Sequence, residues 1–529
     1  MTDLTGLALH PVDLGIIIAL FVLTIAIGLL LSRRHDSSEA YFLAGRSMAW
    51  PFIGLSMFAS NMSSTSLVGL AGDAYATGIA VYNYEWMAAF VLVVFALFFL
   101  PSILRSQVYT MPEVLERRFD RRSRRFFSVL TIFLNIVVDT AGSLFAGALI
   151  LRLVFPEIPL WQTITLLAVV AGIYTIAGGL KAVIYTDAIQ AFLLIMSAVL
   201  VTIFAFDKAG GWQAVMTQID PEKLSLIRPA DDPYVPWPGV ATGVFLLGFY
   251  FWCTNQFMMQ RVLAAKSLDH GRWGMLFAGF LKLPMLFVMV LPGTAAIILY
   301  PQLESADLVY PTLMFDLLPV GLLGLALAGF IAALMSQIDS TLNSASTLTT
   351  MDFIRPQFPH LSEHRLMRIG QFVTFLFMLL AVAWAPQIEN FASLFRYLQT
   401  VLAYAVPPIV ALFIVGFFWR GATANAAFGT LLIGAAAGAV LMVCNEVFEI
   451  INIHFLYVAP ILFVLAVASL VVLSLLERAP PAGETEFAFS ARAFRQDTAE
   501  LRGLPLYRNY RFHSLLIVVA IAVLLAWFW

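Results

Sequence analysis

Apolar residues along the chain gather into fourteen windows, each near the roughly 20 residues that a helix needs to cross the hydrocarbon core of a bilayer. They lie at 12–32, 47–70, 79–104, 126–151, 158–177, 184–206, 237–259, 274–299, 312–350, 367–385, 391–418, 422–444, 452–476 and 512–529. The window at 312–350 is longer than one span requires, so its end is expected to bend or to run along the surface. Segment 12–32 is not patterned as a signal peptide. Arg33 and Arg34 follow the apolar run instead of preceding it, and no small-residue cleavage site stands out, so it reads as a retained first helix. Three windows carry polar interruptions where a bilayer offers the backbone no water. They are Ala59-Ser60-Asn61-Met62-Ser63-Ser64-Thr65-Ser66, Trp252-Cys253-Thr254-Asn255-Gln256, and Ser336-Gln337-Ile338-Asp339-Ser340-Thr341. Small hydroxyl residues in the first of these predict a helix that opens, leaving carbonyls and hydroxyls free to hold an ion. Breaks recurring in distant spans point to an ion-coupled carrier.

Composition makes the class firm. Of 529 residues, 61% are hydrophobic and only 12% charged, and the mean hydropathy is +0.89. No soluble core needs so much apolar surface, so an all-α polytopic membrane protein is predicted. A formal net charge of −2 gives no sign of a nucleic-acid partner. Cys253 and Cys444 both lie in or beside apolar windows, which argues against a disulfide framework and against a metal site at ordinary spacing.

The charges also orient the chain. With the N-terminus outside, the loops on the inner side carry Arg46, Arg105, the basic cluster at 117–125, Lys181, Arg261, Lys266, Arg272 and the arginines of 478–511. Only Arg152, Lys208, Lys223 and Arg228 fall outside, and Lys282 and Arg396 fall within spans. This is the bias of the positive-inside rule, and gaining or losing one early helix would reverse it. Both termini are therefore expected outside the cytoplasm of a cell inner (plasma) membrane. Segment 207–236 reads as a structured outer loop, and 478–511 as a cytoplasmic linker to the last helix.

Charge inside a membrane is expensive, so each instance is a candidate for chemistry. Glu85 and Lys282 both sit in spans; taken alone, the pair reads better as an ion pair stitching two helices than as a ligand set. Asp339 lies beside Ser340 and one helical turn after Ser336, a face of hard oxygens that suits sodium, or else a hydrogen-bonded, protonated acid. Asp187 in Tyr185-Thr186-Asp187 reads from its own stretch as an acid near a helix start, stabilised by the dipole. Asp139 and Arg396 receive no chemical role. Trp252, with Phe251 and Tyr250, offers an aromatic face for a sugar ring, although packing is the commoner use of such residues. No nucleophile elbow, phosphate loop or zinc-protease motif appears, so an enzyme has no support.

Several strings, in order over residues 40 to 350, resemble the sodium/solute symporter family and its sodium/glucose branch. They are Phe42-Leu43-Ala44-Gly45-Arg46-Ser47, the 59–66 break, Tyr84-Glu85-Trp86-Met87, and Gly178-Gly179-Leu180 before Tyr185-Thr186-Asp187. Asn255-Gln256 leading into Gln260-Arg261-Val262-Leu263-Ala264-Ala265-Lys266 belongs to the set, as does Asn343-Ser344-Ala345-Ser346-Thr347-Leu348 before Met351-Asp352. The resemblance implies a LeuT-like fold of two inverted five-helix repeats, 47–206 and 237–418. An N-terminal extra helix and loop (1–46) would precede them, and accessory helices (419–529) would follow. It implies sodium-driven uptake by alternating access, with the chain working as a monomer in the lipid bilayer.

The resemblance also implies ligands. The shared sodium site would use Ala59, Met62, Ala333, Ser336 and Gln337, with Gln337 standing where the family usually has a serine. A second sodium would sit at Asp187, Ser336, Asp339 and Ser340, Asp339 replacing a hydroxyl residue. Glu85, Lys282 and Gln399 match the family's polar sugar ligands, and Trp252 and Phe251 its aromatic gate; this moves Glu85 and Lys282 from a structural pair to substrate ligands. Ser66 replaces a glutamine, Gly248 an asparagine and Ala88 a serine, and Phe251 lacks the usual tyrosine hydroxyl, so the particular sugar does not carry over. The expected function is import of a monosaccharide with one or two sodium ions. Next come another polar cargo (inositol or another polyol, a nucleoside, an acidic sugar), a membrane sensor that has lost transport, and a sodium-leak channel.

Overall fold

A computed structural model of the chain describes residues 9–31, 37–62, 64–154, 156–390, 394–477 and 487–529. Arg33, Arg34, Ser63 and residues 478–486 lie outside the described residues, as do the side chains of Ser64, Thr65 and Arg396. What is described is helical, with no strand pairing beyond two isolated backbone bridges. That is the outcome a bilayer imposes, since only a helix satisfies its own backbone within a single spanning segment.

In chain order the helices that matter for the site begin with α1 (Pro11–Leu31), α2 (Trp50–Asn61), α3 (Ser64–Thr77), α4 (Asn83–Phe98) and α5 (Arg121–Leu134). A π-helical turn, Asn135–Thr140, joins α5 to α6 (Ala141–Val154). Next come α7 (Leu160–Lys208), α8 (Gln256–Leu263), α9 (Leu268–Lys282), α10 (Leu291–Leu299) and α11 (Leu322–Leu348). The series ends with α12 (Glu363–Trp384), α13 (Leu394–Ala405), α14 (Pro407–Phe418), α15 (Ala424–Met442), α16 (Phe455–Glu477), α17 (Ala491–Leu501) and α18 (Tyr510–Trp527).

Among the described residues, nine helices are long and apolar enough to cross a membrane. Two bent pairs, α9 with Leu286–Leu299 (41°) and Tyr397–Ala405 with α14 (51°), bring the number to eleven. The other three apolar windows are helical too, but each is interrupted. Window 47–70 breaks between α2 and α3 at Met62. Window 158–177 is the first arm of α7, which turns at Gly179 (φ 58°, ψ −177°), a conformation essentially reserved for glycine. Window 237–259 is cut by two π-helical turns and by Asn255, whose extended backbone starts α8 and whose side chain caps the Phe257 amide. The long window at 312–350 holds two helices, the end of Val309–Leu317 and then α11, which a π turn follows.

Two features hold the broken helices in place. Helix α11 runs through the centre, buried over almost its whole length and packed along α7. Met48, two residues before α2, and the stretch just past α8 are clasped by backbone bonds, Met48 N–H to Ala264 O at 3.0 Å and Lys266 N–H to Met48 O at 3.1 Å. The loop at 207–236 is structured, as expected. It seats on the membrane helices through Leu226, whose amide bonds Phe528 O (2.7 Å) and whose carbonyl accepts from Asn83 Nδ2 (2.7 Å). Within the segment read as a linker, Ala491–Leu501 forms α17. There Asp497 holds Arg272 at 2.9 Å and Arg511 at 3.0 Å, tying α17 to α9 and α18.

Candidate functional site

The break between α2 and α3 is where membrane-buried backbone is freed. Met62 leaves helical geometry (φ −78°, ψ 63°), and Ser66 Oγ donates back to the Asn61 carbonyl at 2.9 Å. Serines offer the backbone such alternatives to the helix ladder. The carbonyl end of α2 thereby carries the negative pole of its helix dipole into the protein interior. Helix α11 passes beside it, with Ser60 Oγ 3.1 Å from Ser336 Oγ. Ala59, Met62, Ala333 and Ser336 are all fully buried. Gln337 Oε1 is buried and, among the described residues, has no hydrogen-bond partner. An unpartnered carbonyl-type oxygen next to a helix carbonyl end fits a small hard cation, and an amide supplies that oxygen as well as a hydroxyl does.

Immediately beside this spot lies a cavity of about 80 Å³. Glu85, Gln399, Ser66, Phe251, Trp252 and Gln337 all line it, so the structure brings together most of the residues expected to bind substrate. Lys282 is also there but one layer back. Its ammonium is fully buried, 2.7 Å from Glu85 Oε2, bonded to Asn61 Oδ1 and 5.0 Å from the Trp252 ring centroid. Glu85 and Lys282 do face each other, and the ammonium holds the carboxylate that reaches the cavity. Asn61 and Asp139 line the cavity as well. Asp139 received no role from the sequence, yet its π-helical turn directs it here. Ordinary small-molecule sites measure roughly 300–1,000 Å³, so this one is contracted and must widen to take a sugar. Two larger hollows, about 410 and 720 Å³, lie against α17 and between α9 and α18; neither adjoins the ion site.

A second polar cluster lies further along α2 and α11. Asp187, fully buried on α7, accepts from Ser336 Oγ at 2.6 Å through one oxygen and from Ser56 Oγ at 2.5 Å through the other. Arg261 enters the same cluster from α8, its Nη2 3.0 Å from Asp187 Oδ2 and 2.5 Å from Ser60 Oγ, its Nε 2.6 Å from Ser56 Oγ. It also bonds Ser340, which in turn reaches Asp339 Oδ1 at 3.1 Å. The residues expected to hold a second sodium, Asp187, Ser336, Asp339 and Ser340, are thus brought together, with a guanidinium among them. Arg261 does not belong with the loop charges, because it is 1% exposed. Its neighbour Gln260, bonded to Phe42 O at 2.6 Å and Thr347 Oγ1 at 3.0 Å, is buried too. Two adjacent polar residues inside an apolar run were the available sign that this stretch is interior.

The sequence model of the sodium:solute symporter family matches residues 41–434. The chain belongs to the sodium:solute symporter family. Its relatives include sodium/glucose cotransporter 4 of Danio rerio, 35% identical over 88% of this chain and 79% of that protein. Sodium/myo-inositol cotransporter 2 of Oryctolagus cuniculus is 35% identical over 89% and 78%. Sodium/glucose cotransporter 1 of the same organism is 34% identical over 89% and 80%. Among solved structures, the substrate-bound outward-open state of a Na+-coupled sialic acid symporter superposes with a TM-score of 0.79 at 22% identity, covering 90% of this chain and all of that one. Mhp1, a nucleobase-cation-symport-1 family transporter in a closed conformation, gives 0.58 at 14% identity, covering 85% and 98%. These likenesses establish the LeuT-like fold. In this family member the broken α2–α3 helix, the central α11 and the cavity adjoin one another. The family it belongs to is one of carriers and not of enzymes.

Proposed function

We propose that this family member is a sodium-coupled symporter that imports a monosaccharide by alternating access. One feature carries the reading: the candidate ion site and the candidate substrate cavity share a wall. Gln337 lines the cavity, and the preceding residue, Ser336, belongs to the cation site. A sodium held by the carbonyls of Ala59, Met62 and Ala333, the Ser336 hydroxyl and the Gln337 amide oxygen would order that wall and ready the cavity for substrate. Glu85 accepts from sugar hydroxyls, Gln399 both accepts and donates, and Asp139 and Asn61 extend the polar wall. Trp252 and Phe251 cover an apolar ring face. Lys282 acts through Glu85 in this contracted state and reaches the sugar only as the cavity widens.

The relatives named as glucose and myo-inositol cotransporters support a polyhydroxylated cargo of hexose size. Myo-inositol is the second reading, because the same hydroxyl-recognising groups serve a cyclic polyol. The N-terminus and C-terminus lie outside and the loops bearing Arg46, Arg105 and α17 inside, and residues 47–206 and 237–418 act as the two inverted repeats. Sodium entry drives the cycle; one charge crossing 100 mV supplies about 2.3 kcal/mol.

Uptake by proteoliposomes of labelled hexoses, myo-inositol, nucleosides and sialic acid, with and without an inward sodium gradient, tests this. Accumulation of a hexose only with sodium is expected. Sodium-dependent uptake of inositol alone would shift the cargo, and uptake indifferent to sodium would overturn the coupling.

A further inference from the structure

Helices α9 and α18 start side by side. The Arg272 guanidinium of α9 lies 4.0 Å from the Tyr510 ring centroid, and Asp497 of α17 ties Arg272 to Arg511. Between the two helices lies the hollow of about 720 Å³. Trp273, Phe277 and Phe280 line it from α9, and His513, Ile517 and Ala520 from α18. Steps of four and three residues keep each row on one helical face. From 273 to 280, and from 513 to 520, each row rises about 10 Å. That depth fits within one leaflet, roughly 15 Å of a hydrocarbon core of roughly 30 Å. It suits an acyl chain entering from one surface, whereas a partner's spanning helix needs an apolar seam through the whole core.

The end of the hollow nearest the helix starts is basic. The connection from 502 to 511 carries Arg502, Arg508 and Arg511 and no acidic residue. Arg511 is held by Asp497 at 3.0 Å. Arg508, which lines the hollow, forms no ion pair among the described residues and lies 5.7 Å from the Tyr507 ring centroid. Asp269, the acid on this wall, faces Arg272 at 3.9 Å. A guanidinium suits phosphate oxygens because it donates two parallel hydrogen bonds. Trp50, Trp273 and Tyr507 stand beside it, the residue types that favour the headgroup level of a bilayer. A cation at the surface, aromatics at the interface and an apolar slot below form the polarity profile of a phospholipid.

We propose that this hollow binds one anionic phospholipid, with its phosphate on Arg508 and an acyl chain between α9 and α18. The lipid reaches the two helices that carry the candidate site. Trp50, which packs edge-on against Phe277 with ring centroids 5.2 Å apart, is the first residue of α2, and the far end of α2 opens at Met62. Helix α9 ends at Lys282, the partner of Glu85. A bound lipid therefore buttresses the outer faces of α2 and α9. The inference stands apart from the cargo and the ion coupling proposed above.

Native mass spectrometry of the purified full chain, released from micelles holding equal amounts of phosphatidylglycerol and phosphatidylcholine, tests this. The lipid retained longest by the wild type is expected to be one phosphatidylglycerol per chain, and inorganic phosphate should not displace it. Arg508→Gln is expected to lower the ratio of retained phosphatidylglycerol to phosphatidylcholine about fivefold, the worth of one basic residue at a membrane surface. Arg508→Lys should keep most of that ratio. Ala520→Trp, which fills the slot and leaves the charge, is expected to lose the retained lipid; should it not fold, Leu516→Trp at a half-exposed position of the same wall makes the test. Equal retention of the two lipids by the wild type, or a ratio unmoved by Arg508→Gln, overturns the proposal. Displacement by inorganic phosphate reduces the site to one for a free anion and overturns it too, as does retention unaffected by filling the slot.

Discussion

At the scale of single residues, mutation separates the structural role of the Glu85–Lys282 pair from the substrate role proposed for it. The ammonium is wholly buried, so Glu85→Ala leaves it with Asn61 and the Phe58 and Trp252 rings as its partners among the described residues. Removing one member of a buried pair costs about 3–5 kcal/mol. Because Glu85 borders the cavity, the lower end is expected, seen as a fall in the unfolding temperature of the purified protein together with loss of uptake. The doubly neutral Glu85→Gln with Lys282→Met should regain most of that stability and none of the uptake. Recovery of uptake would reduce the pair to a helix staple. Asp139 differs, since it lines the cavity and, among the described residues, has no ion pair to break. Asp139→Asn is expected to leave the unfolding temperature unchanged and to raise KM about tenfold, the cost of one lost hydrogen bond of about 1.5 kcal/mol.

At the scale of elements, the loop at 207–236 acts as a fitted cap. Gly78 closes α3 with a φ of 94°, and a Cβ there would lie 2.3 Å from the Lys223 carbonyl oxygen. Gly78→Ala is expected to cost about 1–3 kcal/mol from backbone strain, before any displacement of the loop, and to show as accelerated proteolysis between 207 and 236. The same loop is turned by Asp232, which accepts from the Tyr234 and Val235 amides at 2.9 and 2.8 Å and from Arg228 Nε at 2.9 Å. Burial pushes its carboxyl up, but the two amides and the guanidinium outweigh burial and hold it below the usual carboxylate range. A carboxyl depressed in the folded state contributes stability that is fully present above its unfolded pKa of about 3.9 and is lost as pH falls through the folded value. The unfolding temperature of the wild type should therefore drop more steeply than that of Asp232→Asn once the pH passes below about 4.

At the scale of the whole molecule, coupling means that sodium binds the folded protein and not the unfolded chain. Sodium at a hundredfold its dissociation constant should add about 2.7 kcal/mol of stability, read as a rise in unfolding temperature that potassium at equal ionic strength does not produce. A sugar should raise it further only when sodium is present, because the ion orders the wall that both sites share. Absence of that order of addition would separate the sites and remove the structural basis for coupling.

The apolar windows determined the fold class by themselves, because a bilayer leaves a chain of this composition no alternative to helices that satisfy their own backbone. The polar break at 59–66 was legible for the same reason: hydroxyls in a spanning window signal freed carbonyls, and the structure opens the helix at Met62. The LeuT-like arrangement and the gathering of Glu85, Gln399, Trp252 and Phe251 followed from motif order, not from periodicity. Only the tertiary structure decided what depends on residues distant in sequence. Arg261 looked like a loop charge because its partner Asp187 lies 74 residues away; Glu85 and Lys282, 197 apart, were read as a pair from their charges alone, and the structure adds that the ammonium lies behind the carboxylate. Asp139 enters the cavity on a π turn, a local shift of face that a 3.6-residue period does not encode. Hydropathy reports how deeply a segment lies in the membrane. The neighbour that each buried charge meets is set by how the helices pack, which hydropathy does not encode.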